Sequence, residues 1–189
     1  TPLYSSAASD VYKRQSVLLD RLHVFYCKDI ENWAATEIDA IAFMDDWGTQ
    51  NALLASPDIF RRFFKPMYKE YAEIAHSYGK KIFMHSDGFI LDIIQDIIDA
   101  GIDALNSQVF CMGVEKLGDR FRGKMTFWGE IDRQYILSQG SKTEVSKAVK
   151  RFYESLYQNG GVIAQCEFGL EAKPDNILTV FQTFDSIKL

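Results

Sequence analysis

The sequence predicts an α/β protein built as a β/α barrel. Two observations lead to this prediction. Short apolar strands alternate along the chain with helices, which is the pattern of parallel βαβ units. Each predicted strand also ends in a cluster of polar side chains, and barrels carry their active-site groups on the loops at that end. A doubly wound sheet would more often show a glycine-rich phosphate loop, and neither GxGxxG nor GxxxxGK[ST] occurs here.

The first half of the chain alternates between helix and strand. Residues 17–36 are predicted to be a helix, and "IDAIAFM" at 38–44 is a strand without polar alternation, as expected when both faces are buried. Ser56 and Pro57 mark the next helix start, through a side-chain cap and a proline in the first turn. Pro66 lies inside that helix and is predicted to kink it.

The second half repeats this pattern. The strand "KIFM" at 81–84 precedes a helix at 89–100 that stops at Gly101. "IDALNS" at 102–107 resembles "IDAIAF" at 38–43, which indicates an internal quasi-repeat of the helix-to-strand junction. The remaining predicted elements are the strand "MTFWGE" at 125–130, a helix from the capping box Ser141–Glu144 to Gln158, the strand "VIAQC" at 162–166, and a last helix that begins at Pro174.

Composition limits the class of protein. The 189 residues suffice for one well-buried domain, and the net charge of −5 without a basic stripe argues against nucleic-acid binding. No apolar run approaches the ~20 residues of a membrane helix. The three cysteines include no CxxC, so we expect no disulfide framework and a reducing, cytoplasmic compartment. Cys27 and Cys111 are expected to be small apolar side chains.

The first fifteen residues differ from the rest. "TPLYSSAASDVYKRQ" is small and polar and lacks the apolar segment of a secretory signal. We expect residues 1–15 to be a non-native or disordered leader, and residues 16–189 to form the barrel domain.

The polar strand ends supply the candidate site residues. Asp45 and Asp46 either terminate a strand or face the barrel mouth, where two adjacent carboxylates are costly unless they have a role. Glu130 and Asp132 are either catalytic carboxylates or solvated loop charges. Asp87 either joins a site or caps a helix that begins near Phe89. The other candidates at these ends are His85, Asn106, Gln108 and Cys166, of which Asn106 and Gln108 are candidate cofactor-binding residues.

Four segments carry a resemblance to a known family. "DDWGTQNALLASPDIFRRFFKP", "MHSDG", "TFWGEID" and "CEFGLEAKPDNI" resemble the uroporphyrinogen decarboxylase superfamily, and within it the cobamide-dependent methyltransferases. The resemblance covers roughly residues 20–189 and implies a (β/α)8 barrel. Such a barrel typically needs about 250 residues. The five predicted strands therefore correspond to its C-terminal part, a partial TIM barrel with outer helices.

The resemblance also implies a zinc site. In the methyltransferases that the chain resembles, a His-x-Cys motif and a cysteine ten residues before an Asn-Ile pair bind zinc. His85 matches the histidine, and Cys166 lies ten positions before Asn176-Ile177. Asp87 stands where the middle cysteine would be. Zinc accepts His, Asp and Cys ligands, so the implied set is His85, Asp87 and Cys166.

The implied reaction is zinc-dependent transfer of a methyl group from a methylated corrinoid protein, which carries a methylcobamide, to a small thiol or pterin. One alternative is uroporphyrinogen decarboxylation, which needs no metal. Another is an inactive barrel fragment that serves as a binding or oligomerisation module. An open barrel has unpaired strand edges and an uncovered inner face, so we also expect self-association.

Overall fold

Five parallel strands form one sheet in the order β1-β2-β3-β4-β5 in the computed structural model. The structure describes residues 2–167 and 169–187. The sheet is not closed and helices surround it, so the predicted partial TIM barrel is confirmed. The strands are β1 (Ala40–Met44), β2 (Lys81–Ser86), β3 (Ala104–Ser107), β4 (Thr126–Gly129) and β5 (Val162–Ile163). The helices are α1 (Pro2–Ala34), α2 (Pro57–Ile59), α3 (Lys65–Ser77), α4 (Ile94–Asp99), α5 (Val109–Met112), α6 (Val114–Phe121), α7 (Lys142–Leu156) and α8 (Pro174–Ser186).

Helices begin at the predicted capping residues. The Ser56 hydroxyl accepts a hydrogen bond from the Ile59 backbone N–H at 3.3 Å, and Pro57 occupies the first turn of α2. Ser141 and Glu144 form both bonds of a capping box at the start of α7. Each cap satisfies backbone donors that have no partner inside the helix.

The predicted kink at Pro66 takes the form of a π-helical turn. Proline has no N–H to donate to the preceding turn. The chain winds as a π-helix over Phe60–Phe64, where the Lys65 N–H donates to the Phe60 carbonyl, and α3 then begins with Pro66 in its first turn. Phe60 in the π-helical turn and Tyr68 and Tyr71 in α3 are all buried, so both segments pack against the core.

Strand register assigns each side chain to one face of the sheet. Ile82, Met84, Leu105 and Phe127 are fully buried on the face that packs against helices. The alternate positions line the inner face, where the rings of Phe83 and Trp128 meet edge to face with centroids 6.0 Å apart. In register, His85 of β2 lies beside Asn106 of β3, which lies beside Trp128 of β4. The polar positions of the inner face therefore lie at the carboxyl ends of the central strands.

One sequence prediction is wrong at β1. The apolar run at 38–44 was expected to be buried on both faces, but Ala42 and Met44 are exposed and Met44 keeps 76% of its surface accessible. The reason is topological, because β1 is the edge of the sheet and has a strand neighbour, β2, on one side alone among the described residues. Its helix-facing side chains Ile41 and Phe43 are partly buried against the core.

Several boundaries also differ from the prediction. The helix expected at 89–100 is a turn followed by the short α4, and α7 ends at Leu156 rather than Gln158. Helices α5 and α6 were not predicted, because each is too short to show a clear helical repeat of apolar residues. Gly113, at φ 87°, separates these two helices in a conformation that favours glycine.

Helix α1 begins at Pro2 and so includes most of the predicted leader. Thr1 lies outside the described residues, and the assignment of 1–15 as non-native or disordered stays a prediction. Within the described parts of the chain, no helix has the length and apolar character to cross a lipid bilayer. All three cysteines are free thiols, as expected.

Candidate metal centre and active site

The loops after β1 and β2 meet at two glycines. The Gly48 N–H donates to the Asp87 carbonyl at 3.0 Å, and the Phe89 N–H donates to the Thr49 carbonyl at 2.8 Å. A Cβ on Gly88 would lie 2.4 Å from the Gly48 backbone, so neither position has room for a side chain. Because the two loops are held this closely, the carboxylates that follow β1 and β2 converge at one point of the rim.

His85 is oriented by Asn106. The Asn106 amide NH₂ donates to the Trp128 carbonyl at 2.6 Å and to Gln165 Oε1 at 2.8 Å, which turns its Oδ1 towards His85 Nδ1, 2.5 Å away. Since Oδ1 can only accept, Nδ1 donates this hydrogen bond, and in the neutral imidazole the lone pair is then on Nε2. A metal-binding histidine typically donates its other ring N–H in this way.

Two carboxylates face that lone pair. Asp46 Oδ1 and Asp87 Oδ1 each lie 3.6 Å from His85 Nε2, and the three donor atoms lie within 4.8 Å of one another. Asp46 Oδ1 also accepts the Asp87 backbone N–H at 2.9 Å, which fixes the loop. Asp87 Oδ1 is buried and has no hydrogen-bond partner. A buried carboxylate oxygen without a partner is costly, and a cation would satisfy it.

Cys166 lies elsewhere. It is buried with the hydrophobic core, and burial, with a smaller contribution from the Glu130 charge, raises the pKa of its thiol to about 11. Among the described residues, Cys166 belongs to none of the groups of three or more His, Cys, Asp and Glu side chains spaced for a metal. Of the predicted zinc ligands, the structure brings together His85 and Asp87, with Asp46 as the third donor in place of Cys166.

A second cluster adjoins the first through Asp87. Arg133 donates to Asp87 Oδ2 at 2.7 Å, forms a short ion pair with Glu167 and lies 3.9 Å from Glu130 Oε2. Glu130, at the end of β4, is 2% exposed and neither of its carboxylate oxygens has a hydrogen-bond partner. Burial, and then the neighbouring Glu167 carboxylate, raises the pKa of Glu130 to about 8. Glu130 can therefore take up or release a proton near neutral pH.

The other predicted carboxylates have local partners. Asp45 accepts a short hydrogen bond from the Tyr68 hydroxyl, which in turn accepts the Trp47 indole N–H at 2.9 Å. Burial raises the pKa of Asp45 against the opposing effect of this hydrogen bond. Asp132 Oδ1 accepts the backbone N–H groups of Gln134 and Tyr135 and so caps a turn.

A cavity of about 270 Å³ opens beside the second cluster. The predicted cofactor-binding Gln108 lies in its wall, and Gln108 Oε1 accepts the Gly88 N–H at 3.2 Å. Asn106, the other predicted cofactor-binding residue, orients His85 instead of lining this cavity. The remaining lining residues are Gln50, Phe110, Cys111, Glu130, Ile131, Asp132, Arg133, Gln134 and Arg151. The space suits a small polar molecule next to the metal-type donors.

Comparison with known families agrees with the fold and with the motifs. The family model described as Uroporphyrinogen decarboxylase (URO-D) matches residues 12–187, nearly the whole chain. The chain belongs to the URO-D family. No curated protein matches this URO-D chain significantly.

Among solved structures, the URO-D chain is similar to a methyltransferase from Methanosarcina mazei, with a TM-score of 0.66 and 19% sequence identity. The match covers 84% of this chain and 46% of the methyltransferase. The chain thus spans about half the length of that structure, and at this identity the likeness concerns the fold.

Two residues that bind the rim carboxylates of this URO-D chain were not predicted from the sequence. Arg133 and Tyr68 were not candidates, because neither belongs to a strand-end cluster. A charge argument could have found Arg133, since Asp87, Glu130 and Glu167 would otherwise crowd one rim without a cation. No local signal marks Tyr68, whose helical position is typical of a core aromatic residue.

Proposed function

We propose that this URO-D chain carries the zinc centre of a methyltransferase that passes a methyl group from a methylated corrinoid protein to a small thiol or pterin. The observation that supports this most is the position of His85 Nε2, which lies 3.6 Å from both Asp46 Oδ1 and Asp87 Oδ1 while Nδ1 bonds to Asn106. Because the chain spans about half of the methyltransferase of similar fold, the activity of the whole protein is part of the proposal.

The donor set fits a divalent metal. One imidazole nitrogen and two carboxylate oxygens leave a coordination position open for a substrate, as catalytic zinc sites do. The buried Asp87 Oδ1, which has no hydrogen-bond partner, supports the binding of a cation at this point. With no thiolate, this set is harder than the one that the family resemblance implies, which makes a bound zinc more electrophilic. Such an ion supplies Lewis acidity that lowers the pKa of a coordinated thiol and so yields a nucleophile at neutral pH.

The residues of the chain prepare this chemistry. Asn106 fixes the tautomer and the direction of His85, and Arg133 holds Asp87 through Oδ2 so that Oδ1 stays free. Glu130 lies within 4.8 Å of Asp87, and its ionised form can accept the proton that an acceptor thiol loses; the pKa, raised to about 8, makes that form a stronger base than an ordinary carboxylate. With a thiol acceptor, the methyl group would pass from cobalt to sulfur, and the corrinoid would keep the electron pair of the broken carbon–cobalt bond.

The open sheet edge supports a proposal on assembly. The inner face of β1 is exposed at Ala42 and Met44, and a groove of about 860 Å³ runs between β1, α1 and α3. An edge strand with free backbone groups beside an apolar groove favours pairing with another chain. We therefore expect self-association through β1. The other proposed partners, the corrinoid protein and the methyl acceptor, rest on the family resemblance.

Zinc titration against a chelating indicator tests the centre. Asp87→Asn and His85→Ala should each weaken zinc binding by at least about tenfold, since changes to outer-shell partners alone cost 10–100-fold. Asp58→Asn is the matched control, because its carboxylate is almost fully exposed on α2. Unchanged zinc affinity in Asp87→Asn would overturn the centre.

The reaction is tested by following methylcobalamin absorbance with small thiols. Zinc-loaded protein should accelerate demethylation, and Asp87→Asn should remove the acceleration. Zinc binding without any demethylation would overturn methyl transfer by this chain while leaving the metal centre intact.

A further inference from the structure

A second group of metal-type donors lies in the outer helical layer. His23 and Cys27 are four residues apart on α1, so they share one face of that helix, and Glu70 lies opposite them on α3. Their donor atoms lie within 4.8 Å of one another. Among the groups with metal spacing in the described part of the chain, this one alone contains a cysteine.

The distances approach those of a coordination shell. His23 Nε2 lies 2.8 Å from Glu70 Oε2, and Cys27 Sγ lies 3.7 Å from both ring nitrogens of His23. Zinc bonds of 2.0–2.3 Å in tetrahedral geometry place ligand atoms about 3.2–3.8 Å apart. The sulfur is equally far from both ring nitrogens and so lies over the ring, and a shared ion requires a rotation of the His23 ring or of the Cys27 side chain. The Glu70 oxygen needs a shift of a few tenths of an ångström, which an exposed side chain allows.

The surroundings favour a bound cation over solvated, independent side chains. His23 is 21% exposed and Cys27 is half-buried, whereas Glu70 is half-exposed and gives access from solvent. The Tyr71 ring lies 5.3 Å from the His23 ring and restricts its orientation. The half-exposed Glu70 carboxylate gives an ion access from solvent. The partly buried His23 and Cys27 side chains would then bind it on the side that faces the protein.

We propose that His23, Cys27 and Glu70 form a second metal site, specific for a borderline-soft divalent cation such as Zn²⁺, that fastens α1 to α3. The combination of thiolate, imidazole and carboxylate ligands selects this class of metal over Mg²⁺ or Ca²⁺. The site is separate from the Asp46–His85–Asp87 centre and does not depend on the proposed reaction. Its role is structural: α1 exposes Leu18, Val24 and Phe25, so much of its apolar surface contributes nothing to holding the helix in place.

Cobalt substitution distinguishes the two sites. Co²⁺ bound to a thiolate gives a charge-transfer absorption that carboxylate and imidazole ligands do not give. The rim centre, as the structure arranges it, contains no sulfur. We expect a thiolate–cobalt band in the 189-residue chain that disappears in Cys27→Ala and persists in Cys166→Ala and Cys111→Ala.

Glu70→Gln provides a second variant that does not disturb the core, because its side chain is exposed. It should weaken the Co²⁺ affinity that this band reports by at least about tenfold. Glu73→Gln, one turn further along α3 and ion-paired with exposed Lys69, is the matched control and should leave that affinity unchanged.

Three results would overturn the second site: no thiolate–cobalt band in the wild type, a band that persists in Cys27→Ala, or equal affinities in Glu70→Gln and Glu73→Gln. A band lost in Cys166→Ala alone would assign the thiolate to the rim. Such a result leaves the methyltransferase proposal standing while it removes this one.

Discussion

Two segments that begin with the same three residues have different environments in this molecule. "IDAIAF" leads into β1 and "IDALNS" leads into β3. Ile102 and Ala104 are buried, at 5% and 1% exposure, whereas Ile38 and Ala40 remain partly exposed. β3 has a hydrogen-bonded strand on each side, and β1 has one on a single side. Position in the sheet, more than the local sequence, decides how much each segment buries.

The number of neighbouring strands also decides which of the two segments contributes to the candidate metal centre. Asn106 in β3 bonds to His85 of β2, to Trp128 of β4 and to Gln165 after β5. The equivalent residue of the repeat in β1 is Ala42, which is exposed. Asn106 has these three partners because strands flank β3 on both sides, and it orients His85, the one proposed ligand that lies within a strand.

The largest expected effect compares equivalent core positions of the two segments. Leu105→Ala should lower the free energy of unfolding by about 2–5 kcal/mol, because it leaves a cavity in a fully buried site. Ile41→Ala should cost clearly less, since Ile41 is only partly buried. Urea unfolding followed by circular dichroism measures both. Equal losses would show that β1 is covered in solution.

Glu130 should make stability depend on pH. Its folded-state pKa is raised from 4.5 to about 8, so its contribution to stability is complete below about pH 4.5 and is lost as the pH rises through about 8. The loss amounts to at most about 1.4 kcal/mol per pH unit in that window.

Glu130→Gln should remove this slope and leave the variant more stable than the wild type at alkaline pH. Glu154→Gln, an exposed glutamate on α7, is the control and should keep the slope. Parallel slopes in the wild type and Glu130→Gln would contradict the buried, protonated state of Glu130.

The parallel sheet was predictable from the sequence because strand–helix alternation and capping residues are local signals. Ser56 and Ser141 cap helices as predicted, and His85 and Asp87 share the predicted rim. The exposure of β1 was not predictable from its own residues, since it depends on the neighbours of the strand. Asp46 is brought near His85 by the contact between the loops at Gly48 and Gly88, and Arg133 binds Asp87 of the second of these loops. Sequence spacing does not encode these contacts.

A smaller effect compares the inner-face positions of the two segments. Asn106→Ala should weaken zinc binding about 10–100-fold, because His85 loses the acceptor that fixes its tautomer. Ala42→Asn should leave zinc affinity unchanged, because Ala42 is exposed and pairs with Phe83, not with His85, in the register of β1 and β2. Calorimetric titration with Zn²⁺ checks both variants. An unaffected Asn106→Ala would show that the amide has no part in orienting the ligand.

The smallest effect on the stability of the monomer concerns Met44. Met44→Lys changes a residue with 76% exposure, so the free energy of unfolding should shift by less than about 0.5 kcal/mol. The charge on the edge strand should nevertheless reduce self-association. Sedimentation velocity at several protein concentrations measures this, with Lys80→Met, an apolar change at a half-buried position before β2, as a control. Identical association of Met44→Lys and the wild type would rule out β1 as the contact.

Zinc-edge X-ray absorption of the zinc-loaded Cys27→Ala protein tests the central claim most directly, because this variant confines the signal to the rim centre. The arrangement of Asp46, His85 and Asp87 predicts a first shell of nitrogen and oxygen alone, with bonds of about 2.0–2.2 Å. A sulfur scatterer at about 2.3 Å that disappears in the double variant with Cys166→Ala would contradict it, because Cys166 would then be a ligand.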